Sequence, residues 1–364
     1  MRDFLHFHYL MAALIKNVNL AGLEELNSVW ACILFKGHGK DKNSDRSYRT
    51  ISTCPFIAKA LDSYVGKLYA DGWASAQAAT QFQGAGSSHE LAALMLTESI
   101  QHSSHVARRP LFVLLLDAKS AFDKVVRECA IGSASVAGTQ GLGLLYINSR
   151  LENRKTYVEW EKTIMGPIND LLGVEQGGVI SDRIYKLSNN TQLSSAQNSG
   201  LGVDLGTCVV SSIGFVDDTG LLSDSLSKLA GLLHLTKEYC KKYHVELVPD
   251  KTKLLVFAPN KQNLDLFLHK LQNPIMMGGK ALEFASSAEH VGILRSPDGN
   301  MPNVISRISA HTRAIMSVLP TGAARSHCGN PAASLRLEKL YGLPGFLHLF
   351  SLMQNWLLFI TTTS

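Results

Sequence analysis

The chain has 364 residues, of which 46% are hydrophobic and 18% are charged, and its formal net charge is +5. These values fit a globular protein with a large buried core and exclude an intrinsically disordered chain. The slight positive charge is compatible with a polyphosphate partner but does not by itself indicate one.

The six cysteines are scattered along the chain, and none of them forms a Cys-x-x-Cys pair. This pattern predicts reduced thiols in an intracellular protein of the cytoplasm or nucleus that is not secreted. The apolar run near the N-terminus is too short to span a membrane and has no cleavage site of the signal-peptide kind, so no membrane partner is expected.

The first 45 residues are interpreted as an N-terminal extension, which ends in a connector rich in glycine, lysine, aspartate and serine. Apolar residues then recur at helical spacing from Ile51 to Trp73, which predicts a core helix. A turn is predicted over residues 81–88. The polar residues Ser88-His89-Glu90 predict the start of the next helix, which runs to Ile100.

The segment LFVLLLDAKSAFD, residues 111–123, begins with six apolar residues that show no helical period. Such a run predicts a buried strand, and Asp117 follows at its end. A carboxylate in that position is held rigidly and faces outward. The next residues, Ser120 to Asp123, are predicted to turn toward a helix.

Residues 173–178, GVEQGG, are predicted to form a loop before a helix, and we call this segment the glycine loop. Paired glycines let the backbone approach a ligand closely, and the N-terminus of a helix favours negative charge. A purely structural turn explains the glycines equally well. The residues alone therefore leave both interpretations open.

The segment CVVSSIGFVDDTGLLSD, residues 208–224, places two adjacent carboxylates between two apolar runs. It predicts a hairpin whose tip is formed by residues 217–220. Acids at the ends of neighbouring strands repel one another unless a divalent cation lies between them. We therefore expect Asp117 and Asp217 to bind two Mg²⁺ ions, or Mn²⁺, with Asp218 in support. Nucleotidyl transfer uses such an arrangement.

Residues 225–244 have the apolar spacing of an amphipathic helix, and residues 245–257 predict a second hairpin that turns at Pro249-Asp250. Later residues are interpreted as the start of a helical thumb and an apolar tail, with few basic side chains. The predicted domains are an N-terminal extension over 1–45, fingers and palm over 46–295, and a partial thumb and tail over 296–364.

Taken in order, six segments resemble the motifs of reverse transcriptases from non-LTR (LINE-like) retrotransposons. The resemblance covers roughly residues 24 to 345. Each segment alone is a weak signal, and the specificity comes from their order and spacing. The six segments are SYRTIS (47–52), LLLDAKSAFD (114–123), GVEQGGVIS (173–181), FVDD (215–218), VELVPDKTKLLVF (245–257) and EHVGIL (289–294).

This resemblance implies an α+β fold with the right-hand architecture of a polymerase, in which fingers and a palm with an antiparallel sheet precede a shortened thumb. It also implies roles for single residues. Arg49 would lie near the incoming triphosphate, and Phe122 would be the gate that rejects a ribose 2′-OH. Gln176 and Gly177 would contact the incoming nucleotide and the template base.

The resemblance further implies that a lysine protonates the pyrophosphate leaving group. Lys251 is the matching position, and Lys253 is the alternative. The sequence departs from the family at one point, because the family usually has Ser-Pro after the glycine loop and here Asp182 follows Ser181. This departure puts the start of the following helix in question.

The first interpretation is thus an RNA-directed DNA polymerase of retrotransposon origin, which extends a DNA primer on an RNA template with deoxynucleoside triphosphates. The second is a catalytically inactive remnant that still binds nucleic acid. A phosphatase or nuclease that uses the same acids is a third, and the Gln176 loop argues against it. The endonuclease domain of the family is not found, so the chain is expected to be a fragment or relic of the element, and both retained and lost activity are compatible with the truncation.

Overall fold

The structure is a computed structural model of the chain. It describes residues 24–259 and 275–297, except 38, 40, 45, 46, 84–86, 153, 161, 162 and 283, together with residues 9, 12 and 13. The predicted thumb and tail therefore lie outside the described residues, apart from residues 296 and 297.

The described residues divide into two compact units. The first takes in residues up to 85, then 117–198 and 233–248, and the second takes in 86–116, 199–232 and the residues from 249 onward. Both units mix helices with strands. The predicted α+β class is therefore confirmed.

Strands are distributed over the whole described chain. Their bounds are β1 (Ser28–Phe35), β2 (Tyr48–Thr53), β3 (Leu111–Leu116), β4 (Lys155–Trp160), β5 (Thr163–Asn169), β6 (Val203–Asp204), β7 (Val209–Val210), β8 (Ser212–Phe215), β9 (Asp218–Ser223), β10 (Lys253–Phe257), β11 (Met276–Met277), β12 (Lys280–Ala281), β13 (Ala288–His290) and β14 (Ile293–Arg295).

Helices alternate with these strands. Their bounds are α1 (Phe56–Leu68), α2 (Ala70–Ala76), α3 (His89–Gln101), α4 (Arg127–Val136), α5 (Gly141–Glu152), α6 (Ser181–Asn198) and α7 (Leu226–Tyr243). In the part of the chain that the structure describes, no helix combines the length and the hydrophobicity needed to cross a membrane.

The first unit contains a four-stranded sheet in the order β2-β1-β4-β5, in which β1 runs parallel to β4 and the other pairs are antiparallel. Strand β1 lies within the predicted N-terminal extension. The predicted helix from Ile51 to Trp73 is wrong at its start, since residues 51–53 belong to β2. Residues such as Thr50 and Ile51 suit a strand that has a partner, and Pro55 marks the helix start as the N-cap of α1.

The second unit contains an antiparallel sheet in the order β10-β3-β9-β8. All six residues of β3 are buried, which confirms the predicted buried strand. Helix α3 begins as predicted, because the Ser88 hydroxyl accepts a hydrogen bond from the backbone N–H of Leu91 at 3.4 Å. The predicted amphipathic helix over 225–244 is also present as α7.

The second hairpin predicted over residues 245–257 is wrong. In the second unit, β10 pairs with β3. In the first unit, Leu247 forms an isolated antiparallel bridge with Ala118. The two halves of the segment thus pair with other parts of the chain. A strand pairs with the neighbour against which its apolar side chains can be buried. The spacing of residues within the segment does not identify that neighbour.

A buried group of charged residues holds the first unit together. Arg150 of α5 donates a hydrogen bond from Nη2 to Glu175 Oε1 at 2.9 Å, and its Nε lies 3.5 Å from Asp62 Oδ1 of α1. Its Nη1 donates to the carbonyl of Leu26 at 2.8 Å. The exposed fractions of Arg150, Asp62 and Glu175 are only 4%, 2% and 8%. One guanidinium thus joins the 3-10 helix (Glu24–Asn27) that precedes β1, helix α1 and the glycine loop.

Hydrogen bonds offset the cost of burying these charges. The Tyr146 hydroxyl donates to Asp62 Oδ1 at 2.6 Å, so the carboxylate has a second partner. Burial raises the pKa of the Asp62 and Glu175 carboxyls, while Arg150 opposes that rise. Removing one partner from such a group leaves an uncompensated charge.

We predict that Arg150→Met lowers the free energy of unfolding by about 3–5 kcal/mol, because two buried carboxylates lose their counterion. Without the guanidinium, the raised pKa of both carboxyls rises further. A raised folded-state pKa gives stability that is present below the unfolded-state pKa and is lost as pH rises through the folded-state pKa. The loss should therefore be larger at pH 8 than at pH 5.

Urea denaturation at the two pH values measures this difference. The exposed Arg49→Met is the control and should change the free energy of unfolding by less than about 0.5 kcal/mol at both. Equal losses at pH 5 and pH 8 for Arg150→Met would contradict the buried carboxylate account.

Candidate active site

The two predicted acids lie on a tight hairpin between β8 and β9, which we call the acid hairpin. Phe215 pairs with Asp218, so its two-residue turn consists of Val216 and Asp217. The predicted hairpin with an acid in its turn is therefore confirmed, but the turn is shorter than the predicted 217–220, because Asp218 and the residues after it form β9. Pairing of β9 with β3 extends the strand toward the turn. Both carboxylate side chains are exposed.

The turn of the acid hairpin carries backbone strain. Val216 has φ of +60°, a left-handed conformation that a β-branched side chain rarely adopts. Two-residue hairpin loops need positive φ to match the twist of their strands, and glycine or asparagine usually supplies it. Strain of this kind costs about 1–3 kcal/mol, persists only where neighbouring structure fixes it, and is common at functional sites.

In the second unit, the acid hairpin and Lys251 lie at the same end of the sheet. Leu116, the last residue of β3, pairs with Thr219 at the start of β9. Lys253, the first residue of β10, pairs with Leu115. Lys251 occupies the turn that leads into β10 and is exposed, whereas the ammonium of Lys253 donates to the carbonyl of Asp250 at 2.9 Å.

In the first unit, the backbone of Asp117 is fixed by the segment that follows α7. The carbonyl of Asp117 accepts a hydrogen bond from the N–H of Val248 at 2.9 Å, and the N–H of Lys119 donates to the carbonyl of Glu246 at 2.8 Å. The ammonium groups of Lys119 and Lys124 lie 3.0 and 2.5 Å from the Glu246 carboxylate. These two hydrogen bonds, first that of Lys124, lower the pKa of Glu246.

The ring of Phe122 packs against α6. Its centroid lies 4.7 Å from that of the Tyr185 ring, and the two planes differ by 18°. The carbonyl of Phe122 accepts a hydrogen bond from the N–H of Val174 in the glycine loop at 2.9 Å. The turn after Asp117 and the glycine loop are therefore in direct contact.

The glycine loop also contacts β2. The N–H of Ser52 donates to the carbonyl of Gln176 at 2.9 Å. Gly177 has φ of +106°, and a Cβ at this position would lie 2.9 Å from the carbonyl oxygen of Ser52. Contact with the chain's own backbone thus accounts for this glycine. Arg49 lies on the same strand, three residues before Ser52, and its side chain is exposed.

Helix α6 begins at Ser181 even though the proline typical of the family is absent. Asp182 lies in the first turn, where a negative charge interacts favourably with the helix dipole. Its carboxylate also lies 3.4 Å from the ammonium of Lys186. The departure from the family pattern therefore leaves the helix start unchanged.

Sequence reasoning missed the arginines that hold the glycine loop. Besides Arg150, Arg154 donates to the carbonyls of Gly173 and Leu172 at 3.2 and 3.0 Å and pairs with Asp170 at 2.9 Å. Arg127 donates to the carbonyl of Leu172 at 3.2 Å. Glu175 was the available signal, since a carboxylate inside a buried loop needs a cation.

The predicted site residues divide between the units. The first unit brings the turn at Phe122, the glycine loop and the strand of Arg49 together, and the second places the acid hairpin and Lys251 at one sheet end. Across the described ranges, no three His, Cys, Asp or Glu side chains form a cluster that could hold a metal ion. The first unit holds Arg49, Asp117, Phe122, Gln176 and Gly177, and the second holds Asp217, Asp218 and Lys251.

The second unit thus has an antiparallel sheet with a carboxylate hairpin at one end, and the first unit has a glycine loop that contacts β2. Residues 40–287 match the reverse transcriptase (RNA-dependent DNA polymerase) family. The match covers more than half of the chain. The chain therefore belongs to the reverse transcriptase family, whose members are RNA-directed DNA polymerases.

One solved structure supports the same fold, and a second is similar over a smaller share of the chain. Telomerase from Candida tropicalis in complex with a fragment of telomeric RNA has 11% identity and a TM-score of 0.52, over 93% of this chain and 55% of its own. Apo telomerase from the same organism, truncated from its C-terminal domain, has 12% identity and a TM-score of 0.49, over 75% of this chain and 54% of its own. The chain thus spans about half the length of these proteins. No curated protein matches it by sequence.

We predict that Gly177→Ala lowers the free energy of unfolding by about 1–3 kcal/mol, because alanine is strained at this φ and its Cβ would press on Ser52. Gly132→Ala is the control. It lies inside α4 with nothing within 4 Å of its added Cβ, so it should raise stability by about 0.5–1 kcal/mol. Chemical denaturation measures the free energy of unfolding of both variants. A Gly177→Ala variant as stable as wild type would rule out docking of the loop on β2.

Proposed function

We propose that the chain is the catalytic core of an RNA-directed DNA polymerase in which Asp117, Asp217 and Asp218 serve one active site. The supporting observation is the register of the second unit. Leu116, one residue before Asp117, pairs with Thr219, one residue after Asp218. The chain therefore leaves β3 beside the strand that begins with the second acid, and a single peptide bond leads on to Asp117.

The chemistry of these side chains suits divalent cations. Carboxylate oxygens are the ligands that Mg²⁺ and Mn²⁺ prefer, and Mg²⁺ is commonly held by one or two carboxylates together with substrate phosphates. A pre-formed cluster of three ligands is therefore not required. When bound, two such ions would activate the primer 3′ hydroxyl and stabilise the leaving pyrophosphate.

The other residues of the proposal act on the nucleotide. Arg49 is exposed on β2 and can hold two phosphate oxygens with its planar guanidinium. Lys251 is exposed at the same sheet end as the acid hairpin, where it can donate a proton to pyrophosphate. Gln176 and Gly177 would face the nascent base pair, and Phe122 would lie under the sugar.

The proposed substrates are an RNA template, a DNA primer and deoxynucleoside triphosphates. The telomerase that shares the fold is in complex with RNA, which agrees with an RNA template. We propose non-LTR retrotransposon origin from the order of the six motifs. The described cysteines are all free thiols, which supports action inside the cell, in the nucleus or cytoplasm.

A catalytically inactive, nucleic-acid-binding remnant is the second candidate. Primer extension on RNA and DNA templates separates the two candidates, because the remnant would bind primer-template without extending it.

We predict that Asp217→Asn abolishes primer extension while binding of the primer-template is unchanged or slightly tighter, because a metal ligand and a negative charge near the phosphates are removed. Asp204→Asn is the matched control, since it removes the same charge from an exposed position at the end of β6 in the same unit. Gel-based extension and fluorescence anisotropy measure the two properties. Extension that survives Asp217→Asn would refute the catalytic assignment.

We also predict that Phe122→Ala raises ribonucleotide incorporation relative to deoxynucleotide incorporation, because the ring that would collide with the 2′-OH is lost. Single-nucleotide extension with matched dNTP and rNTP gives the ratio of kcat/KM. An active variant with the wild-type ratio would leave Phe122 with a packing role alone.

A further inference from the structure

We propose that Tyr185 is a positioning residue. It would hold the Phe122 ring in the position where the ring collides with a ribose 2′-OH, and would so determine how strongly ribonucleotides are rejected. The inference rests on the proposed function, because it requires Phe122 to act as the sugar gate. Tyr185 belongs to none of the six sequence motifs, and its part in discrimination comes from its contact with Phe122.

The two rings form a stacked pair. Their centroids are 4.7 Å apart and their planes differ by 18°. Phe122 is half-buried in a turn, whereas Tyr185 is 8% exposed and lies in the second turn of α6. A buried tyrosine on a helix has few rotamers open to it. The half-buried ring of Phe122 thus packs against the buried ring of Tyr185.

The backbone of Phe122 is fixed separately. Its carbonyl accepts the N–H of Val174, and the carbonyl of Val125 accepts the N–H of Gly173 at 2.8 Å. These bonds hold the turn on the glycine loop but leave the side-chain torsions of Phe122 free. The stacking contact with Tyr185 therefore restrains the ring itself.

Steric rejection depends on small displacements. Repulsion between non-bonded atoms falls off within a few tenths of an ångström, so a ring that tilts away admits an extra hydroxyl. A cavity of about 20 Å³ lies beside Tyr185 and is also lined by Val125, Cys129 and Tyr239. Shortening Tyr185 would enlarge this space and give the Phe122 ring room to move.

The test compares Tyr185→Leu with Tyr185→Phe in single-nucleotide extension. Tyr185→Leu removes the flat ring and should raise the ratio of ribonucleotide to deoxynucleotide kcat/KM by about three- to tenfold, the factor expected for one lost aromatic contact. Tyr185→Phe keeps the ring and should stay within about twofold of wild type. A general loss of stability would lower both rates and leave the ratio unchanged.

Tyr243→Leu is the matched control. Its ring stacks on Tyr239 at the same 4.7 Å centroid distance, and it lines the same cavity. The variant thus removes an equivalent stacked ring next to the same space, and its ratio should equal that of wild type. A rise in this control as large as that of Tyr185→Leu would overturn the inference, because any void in this region would then have the same effect.

The outcomes separate this inference from the proposed function. If wild type extends and Phe122→Ala relaxes the ratio but Tyr185→Leu does not, the positioning role is wrong while the polymerase assignment stands. If wild type does not extend, the polymerase assignment fails, and the ratio of Kd values for dGTP and GTP, measured by calorimetry on the same variants, decides the role of Tyr185. Tyr185→Met replaces the leucine variant if that variant does not fold.

Discussion

The structure of the first unit depends on burying one guanidinium among three segments. Arg150 is almost fully inaccessible, and its partners come from the 3-10 helix before β1, from α1 and from the glycine loop. A buried charge is tolerated only when its partners are in place together, so this residue ties the position of Glu175 to that of Asp62. Because Glu175 lies at the centre of the glycine loop, fixing it also positions the parts of the loop that contact Ser52 and Phe122.

Elements whose signals are local could be predicted from the sequence. Six apolar residues identified β3, the Ser88 cap identified the start of α3, and helical spacing identified α7. Predictions failed where a partner decides the outcome. Ile51 lies in a strand because β1 pairs with it, and β10 pairs with β3 and forms no hairpin with residues 245–248. The spacing of residues along the chain does not predict which strand will be the partner.

The residues of the candidate site likewise divide into those with a local sequence signal and those without one. The motifs singled out the acid hairpin, Asp117 and the glycine loop as candidates, because the residues within each motif are close together in sequence and their chemistry is specific. Arg150 and Tyr185 could not be found in this way. Each acts through a residue of a motif, across 25 positions to Glu175 in one case and across 63 to Phe122 in the other. Only folding brings each of these residues next to its partner. In the sequence, helices α5 and α6 have the pattern of ordinary packing helices.

A positive φ has different consequences at two tight turns, one in each unit. Gly177 adopts its positive φ freely, and the carbonyl of Ser52 leaves no room for any side chain, so packing alone accounts for the residue. Val216 has no such freedom. Its left-handed backbone must be stabilised by the surrounding sheet, where β9 pairs with both β8 and β3. A turn held against its own preference has one backbone geometry as long as the sheet is intact, and the backbone of Asp217 is thereby kept in one place, as the proposed catalytic role of its carboxylate requires.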